Sequence, residues 1–182
     1  MNQAGAGVLA IAAGLAFGAG AMAQGMSKDQ YRSGEDRIAA EYKAAKAGCG
    51  SFSGNANDIC HAQASGRESV ATTELEARYK PSEDASYKVR VVRAEADYGV
   101  ARQKCDDSAG NVKDVCVQEA KAALVAARAD AKAQMKTADA RRDAASDKRD
   151  ADFAVAKEKC DAFAGDAKNN CMIEAKARFG KT

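Results

Sequence analysis

The chain has 182 residues, with 28 Lys and Arg set against 26 Asp and Glu for a formal net charge of +2, and no Trp. Charges so nearly balanced, with neither sign gathered into a long block, argue against a dedicated nucleic-acid or anionic-membrane binder, which concentrates one sign on one face. Alanine makes up roughly a quarter of the residues, and beyond residue 23 Leu occurs only at positions 75 and 124, so a thick conventional core is excluded.

Residues 1 to 24 carry no charged side chain and run through Val8-Leu9-Ala10-Ile11-Ala12-Ala13-Gly14-Leu15-Ala16-Phe17 to Ala21-Met22-Ala23. An apolar run of this length closed by Ala-x-Ala is the pattern of a secretory signal peptide cleaved after Ala23, although Met1-Asn2-Gln3 supplies only the α-amino charge. The stretch is short and glycine-rich for a bilayer span of about 20 residues. No Cys lies near the cleavage point to carry a lipid anchor, and no later stretch is apolar enough to span. The reading is a cleavable signal at 1–23 and a single alanine-rich helical repeat domain at 24–182.

All six Cys follow the expected cleavage site, and an even count in an exported chain implies disulfides. They form pairs Cys49/Cys60, Cys105/Cys116 and Cys160/Cys171, each separated by eleven positions, with successive copies offset by 56 and 55 residues. The surroundings repeat with them. Seven residues before each first Cys stands an aromatic, Tyr42, Tyr98 and Phe153; four before it stand Ala45, Ala101 and Ala156. Five after it come Gly54, Gly110 and Gly165, followed by Asn55, Asn111 and Asp166; four after each second Cys come Ala64, Ala120 and Ala175. This is an internal repeat of three units.

Each unit reads as a helical hairpin. Gly is the usual residue just past a helix end, and the following Asn or Asp reads as the N-cap of the next helix, with Asn111 and Asp114 resembling a capping box. On one unbroken helix eleven positions would span about 16 Å, whereas a disulfide needs Cα atoms within about 7 Å. A hairpin with its turn near 50–55, 106–111 or 161–166 brings the two Cys opposite each other. Pairing within each unit is therefore expected.

Helices are predicted near 27–49, 56–79, 83–107, 112–162 and 167–179. Alanine, Lys, Arg and Glu are strong helix formers, and from Val112 to Ala162 there is neither Pro nor Gly. Pro81, the single proline, breaks the chain between the second and third helices, and Ser82 is placed to cap the third. If the chain stays straight at Pro81 the result is an elongated antiparallel bundle; if it folds sharply, a stack of hairpins. Either way the fold class is all-α: elongated antiparallel helical hairpins or a bundle, built from three disulfide-stapled helix-turn-helix units.

Few residues invite chemistry. Metal and redox sites favour close Cys pairs such as Cys-x-x-Cys, whereas ten residues intervene in each pair here, so structural disulfides are expected at Cys49, Cys60, Cys105, Cys116, Cys160 and Cys171. His61 is the only histidine, and Met26, Met135 and Met172 are scattered, so no metal or cofactor is expected. Carboxylate pairs such as Asp106-Asp107 and Asp143/Asp147 lack the shielded cleft that acid-base catalysis needs, and no catalytic residue is assigned. Tyr42, Tyr98 and Phe153 are expected to pack on the partner helix. Phe52 and Phe163 sit in the first and third turns, with Ser108 at that place in the middle one. They either cover the disulfide, the favoured reading, or offer an apolar tip to a partner.

The pattern Tyr98-x-x-Ala101-x-x-x-Cys105, then Gly110-Asn111-x-x-Asp114-x-Cys116-x-x-Glu119-Ala120-Lys121, resembles a family of small exported proteins of Gram-negative bacteria labelled cell envelope biogenesis or TolA-like. The resemblance runs over the whole chain after the signal, from Met26-Ser27-Lys28-Asp29 to Ala175-Lys176-Ala177-Arg178-Phe179-Gly180-Lys181. It implies a periplasmic location and brings no catalytic residues with it. The expected function is a non-enzymatic periplasmic structural or protein-interaction role, associated with the envelope or with stress, toward a periplasmic or envelope protein partner. Alternatives are a metal- or redox-responsive protein using the Cys pairs, and a helical chaperone-like binder. The sequence leaves the oligomeric state open.

Overall fold

A computed structural model describes residues 25–181; the expected signal segment, 1–23, lies outside the described residues. Five helices make up the described chain: α1 (Lys28–Cys49), α2 (Asn55–Tyr79), α3 (Glu83–Cys105), α4 (Gly110–Cys160) and α5 (Gly165–Phe179). No strand occurs among the described residues. The three disulfides pair Cys49–Cys60, Cys105–Cys116 and Cys160–Cys171, with Cα separations of 5.5, 5.6 and 5.6 Å. The all-α fold of disulfide-stapled antiparallel hairpins is thus as the repeat implies.

The helix starts follow from local chemistry where capping side chains exist. Ser27 accepts from the Gln30 backbone N–H while the Gln30 side chain accepts from the Ser27 N–H at 2.8 Å, a capping box that opens α1. At the second junction the residue before Pro81 is driven out of the helical region: Lys80 has φ −129° and ψ 77°. Ser82 then caps α3 by accepting from the Ala85 N–H at 2.9 Å. The chain folds back sharply at Pro81, so α3 runs antiparallel to α2 and packs along it. The ion pairs Lys88–Glu76 and Arg93–Glu74 join the two helices, and Asn55 at the start of α2 reaches Gln103 near the end of α3.

Only helices adjacent in chain order touch. The first four form a single serpentine layer, with α2 meeting α1 through Cys60 and Leu75 and meeting α3 through Asn55 and Gly66. α4 has 51 residues, a length of about 75 Å, and runs on past the layer. Its first half packs on α3, where Arg128 pairs with Glu95. Its last turns carry α5, with Phe153 and Phe179 ring centroids 6.0 Å apart and Lys181 bonded to Asp150. The buried residues of α4, Ala120, Ala131 and Cys160, fall on one helical stripe, so α3 and α5 lie along the same side of it.

Small residues let the helices come close enough for this thin layer to cohere. Besides the cysteines, the buried apolar set is Ile38, Leu75 and the alanines Ala64, Ala94, Ala120, Ala131 and Ala175. Leu75 lies over Gly34, where a Cβ would stand 2.7 Å from its Cδ1. Tyr31 stacks on Tyr79 beside this contact, with centroids 4.5 Å apart. A Cβ on Gly66 would stand 3.0 Å from the Ala96 Cβ, which makes Gly66 the close-approach point of α2 and α3. Replacing Gly66 by Leu is expected to push these helices apart and lower stability by about 2 kcal/mol, as overpacking does. Chemical denaturation checks this; a midpoint equal to that of the parent would mean the helices are not held this closely.

Candidate functional site

Two features are built well enough to act: the three stapled turns and an apolar groove between α2 and α3.

Each turn has the same construction. The helix ends at the first Cys, four or five residues cross the tip, and the second Cys lies about one and a half turns into the next helix. Cys49, Cys105 and Cys160 are fully buried, whereas Cys60, Cys116 and Cys171 are half-buried. The alanine one turn beyond each second Cys, Ala64, Ala120 or Ala175, is buried against the preceding helix. That burial accounts for its recurrence, since a larger side chain there would crowd the facing helix.

The glycines do a different task from the one their place in the sequence suggests. They do not terminate the first helix, which already ends at Cys in the ordinary helical region. Gly54, Gly110 and Gly165 instead open the second helix with φ of 59°, 55° and 55°, left-handed values that a side chain would strain. The following Asn55, Asn111 and Asp166 are not caps: α2, α4 and α5 begin without a side-chain cap bond, and the capping box expected at Asn111 and Asp114 does not form. Asn55 points across to the neighbouring turn, where its Nδ2 donates to the Gln103 carbonyl at 2.9 Å and to Asp107 Oδ1 at 2.7 Å. It therefore ties the first tip to the second.

A further repeated device closes each tip three residues before the second Cys. Asn57 donates to the Cys49 carbonyl at 2.8 Å in the first turn. Its counterparts are ion pairs, Lys113–Asp106 at 2.7 Å and Lys168–Asp161 at 2.8 Å. The hydrogen bonds from Lys113 and Lys168 hold the Asp106 and Asp161 carboxyls below their ordinary value of 3.8. A carboxyl depressed on folding contributes stability that is present above its unfolded value and lost as pH falls through the folded one. The pairs are exposed, so the effect is small. Replacing both Asp by Asn is expected to flatten the thermal midpoint against pH below about pH 4. An acid limb as steep as the parent's would contradict the assignment.

Phe52 and Phe163 sit at the tips of the first and third turns, each 53% exposed. Any cover they give the disulfide is therefore partial. Tyr42, Tyr98 and Phe153 are half-buried. Tyr42 lies with Ile38, Ala45, Ala64 and Ala71 in a shallow cleft of about 150 Å³ between α1 and α2, while Phe153 meets Phe179 on α5.

The groove is larger. It holds about 610 Å³ and is floored by Gly66, Val70, Ala71, Ala96, Val100 and Ala101, with Arg67, Glu74, Asp97 and Lys104 on its rim. No sequence signal marks it, because Val70 and Val100 lie thirty positions apart and meet only once α3 folds back at Pro81. His61 is half-buried on α2 beside Cys60. Asp143 and Asp147 are exposed on α4. Among the described residues no three His, Cys, Asp or Glu side chains are gathered as a metal site requires, and no helix is long and apolar enough to cross a membrane. Three disulfides suit an oxidising, extracellular or periplasmic environment. No family model, curated protein or solved structure matches this chain.

Proposed function

We propose that this protein is a non-enzymatic periplasmic scaffold that binds an envelope or periplasmic protein. The observation that carries this reading is the open layer itself. Its inner helices are covered only at their two edges, and the exposed face of α2 and α3 forms a groove of about 610 Å³ with an apolar floor and a rim of both signs. Ordinary domains close a second layer over such a face. A groove floored by Gly, Ala and Val and edged by charge suits a helix of a partner protein laid lengthwise, its small and aliphatic residues inward.

One cysteine of each pair, Cys49, Cys105 or Cys160, is fully buried and its partner is half-buried, and this restricted access for an attacking thiolate supports a structural role for the disulfides over one in thiol exchange. The expected signal at 1–23, together with disulfides suited to an oxidising compartment, supports the periplasm as its location. The resemblance to the envelope-biogenesis family supports the same compartment.

The test is a deletion strain assayed for detergent sensitivity and complemented from a plasmid. Deletion is expected to sensitise the envelope, and the parent sequence to restore resistance. The double variant Val70→Arg with Val100→Arg is expected to fail while keeping its helical signal and disulfides. A deletion strain as resistant as its parent, or full rescue by the groove variant, would overturn the proposal.

A further inference from the structure

We infer that the protein is a two-fold symmetric dimer in which the α4 helices of two copies run antiparallel, each covering the outer side of the other. The inference is independent of the envelope reading and rests on the internal repeat. A shift of 56 residues carries Cys60 onto Cys116 and therefore α2 onto the first half of α4, and a shift of 55 carries Cys105 onto Cys160 and α3 onto the second half of α4. The side of α2 that α3 covers is thus equivalent to the side of α4 facing away from α3, which nothing covers in one copy.

The contacts transfer with the shift. α2 meets α3 where Gly66 faces Ala96, and the two helices are joined by Glu76–Lys88 at 2.8 Å and Glu74–Arg93 at 2.5 Å. Gly66 and Ala96 correspond to Ala122 and Ala151, both small and both exposed. Glu74 and Arg93 correspond to Asp130 and Lys148, which keeps the ion pair with its polarity. Glu76 and Lys88 correspond to Lys132 and Asp143, which keeps it with the polarity reversed. A reversal that preserves complementarity is what a maintained contact requires, whereas charges placed only for solubility have no reason to match. All four charges are exposed, and none makes an ion pair among the described residues.

These partners cannot meet within one copy. Ala122 and Ala151 lie on the same uninterrupted helix, about 43 Å apart at 1.5 Å per residue. A second copy satisfies them. Because donor and acceptor stripes sit on one helix, an antiparallel two-fold arrangement makes each contact twice and closes on itself. The geometry is that of an exchanged element. Where the chain folds back at Pro81–Ser82 between the first two units, the equivalent Thr137–Ala138 lies mid-helix, so the third unit is delivered to a neighbouring copy rather than to its own.

Sedimentation equilibrium of the full disulfide-bonded protein, purified after export, tests the arrangement. The parent is expected to weigh as a dimer at micromolar concentration. Lys132→Asp and Asp143→Lys, each setting like charges opposite each other twice, are expected to weaken association about tenfold or more. The two changes together should restore it. Thr137→Pro with Ala138→Ser, which recreates the Pro81–Ser82 break, is expected to yield a monomer of smaller hydrodynamic radius as the third unit folds back onto its own second. A monomeric parent overturns the inference, as does a dimer indifferent to both single charge reversals. A single reversal that dissociates the dimer without rescue by the double change overturns the register.

Discussion

Replacing Cys160 and Cys171 by serine is expected to unfold α5 while leaving α1 to α4 intact. α5 has only 15 residues, touches α4 alone, and buries a single residue, Ala175. A helix this short is marginal in water by itself. Its other anchors are modest: one tilted aromatic contact between Phe153 and Phe179, and exposed ion pairs to Asp150 and Asp161. The staple closes a loop of about a dozen residues, worth on the order of 3 kcal/mol on the chain-entropy model. That exceeds what one buried alanine and a partly exposed aromatic pair contribute. Hydrogen exchange should show the amides of α5 losing protection, with those of α2 and α3 unchanged. Retained protection across α5 would mean that packing, not the disulfide, holds it.

The same substitution in the first unit should behave differently, and Leu75 is the reason. Leu75→Ala is expected to destabilise the α1–α2 hairpin by about 3 kcal/mol, within the usual range for removing a buried leucine. Leu75 is 2% exposed and is the largest fully buried side chain of the described protein. It fills the space over Gly34 that no side chain occupies, so its loss opens a cavity the two backbones cannot easily close. The Tyr31–Tyr79 stack joins the same two helices about one turn away and should loosen with it. α1 should then exchange freely up to the Cys49 staple, which still tethers its last turn. Leu124, half-buried on α4, offers a control whose truncation should have a smaller effect. Equal losses from the two leucines, measured by chemical denaturation, would contradict this account of the core.

The thinness of the layer explains why staples recur. Alanine removes little apolar surface from water when it is buried, and conformational entropy opposes ordering every residue of these long helices. Small folds with little core compensate with covalent links. Here each link sits at a hairpin tip, where it sets the register of both helices. Gly66 against Ala96 shows the complementary device, side chains small enough for the helices themselves to touch, while Gly34 makes room for the largest fully buried side chain, Leu75.

The disulfide pairing and the helix boundaries are legible in the sequence because both are local. Eleven residues between cysteines, a Gly-Asn or Gly-Asp between them and long Pro-free runs constrain the chain without reference to distant partners. Ser82 as the cap of α3 is legible for the same reason. The direction of the chain at Pro81 is not, because a proline ends a helix without saying where the next one points. That depends on Gly66 and Ala96 meeting thirty residues apart. The role of Asn55 is hidden because its partners, Gln103 and Asp107, belong to another unit. The glycines mislead by one helix for a subtler reason. A left-handed residue suits either the end of one helix or the start of the next, and composition does not distinguish the two. The groove inherits all of these dependences, since Val70 and Val100 line it only after the fold-back.

The measurement that bears most directly on the central claim is the intact mass of the protein isolated from the periplasm, with thiols alkylated before and after reduction. The account predicts a chain beginning at Gln24, no alkylation before reduction, and additions at all six cysteines after it. Proteolysis without reduction should then link Cys49 to Cys60, Cys105 to Cys116 and Cys160 to Cys171. Free thiols in the native protein, or links between different units, would contradict the stapled scaffold.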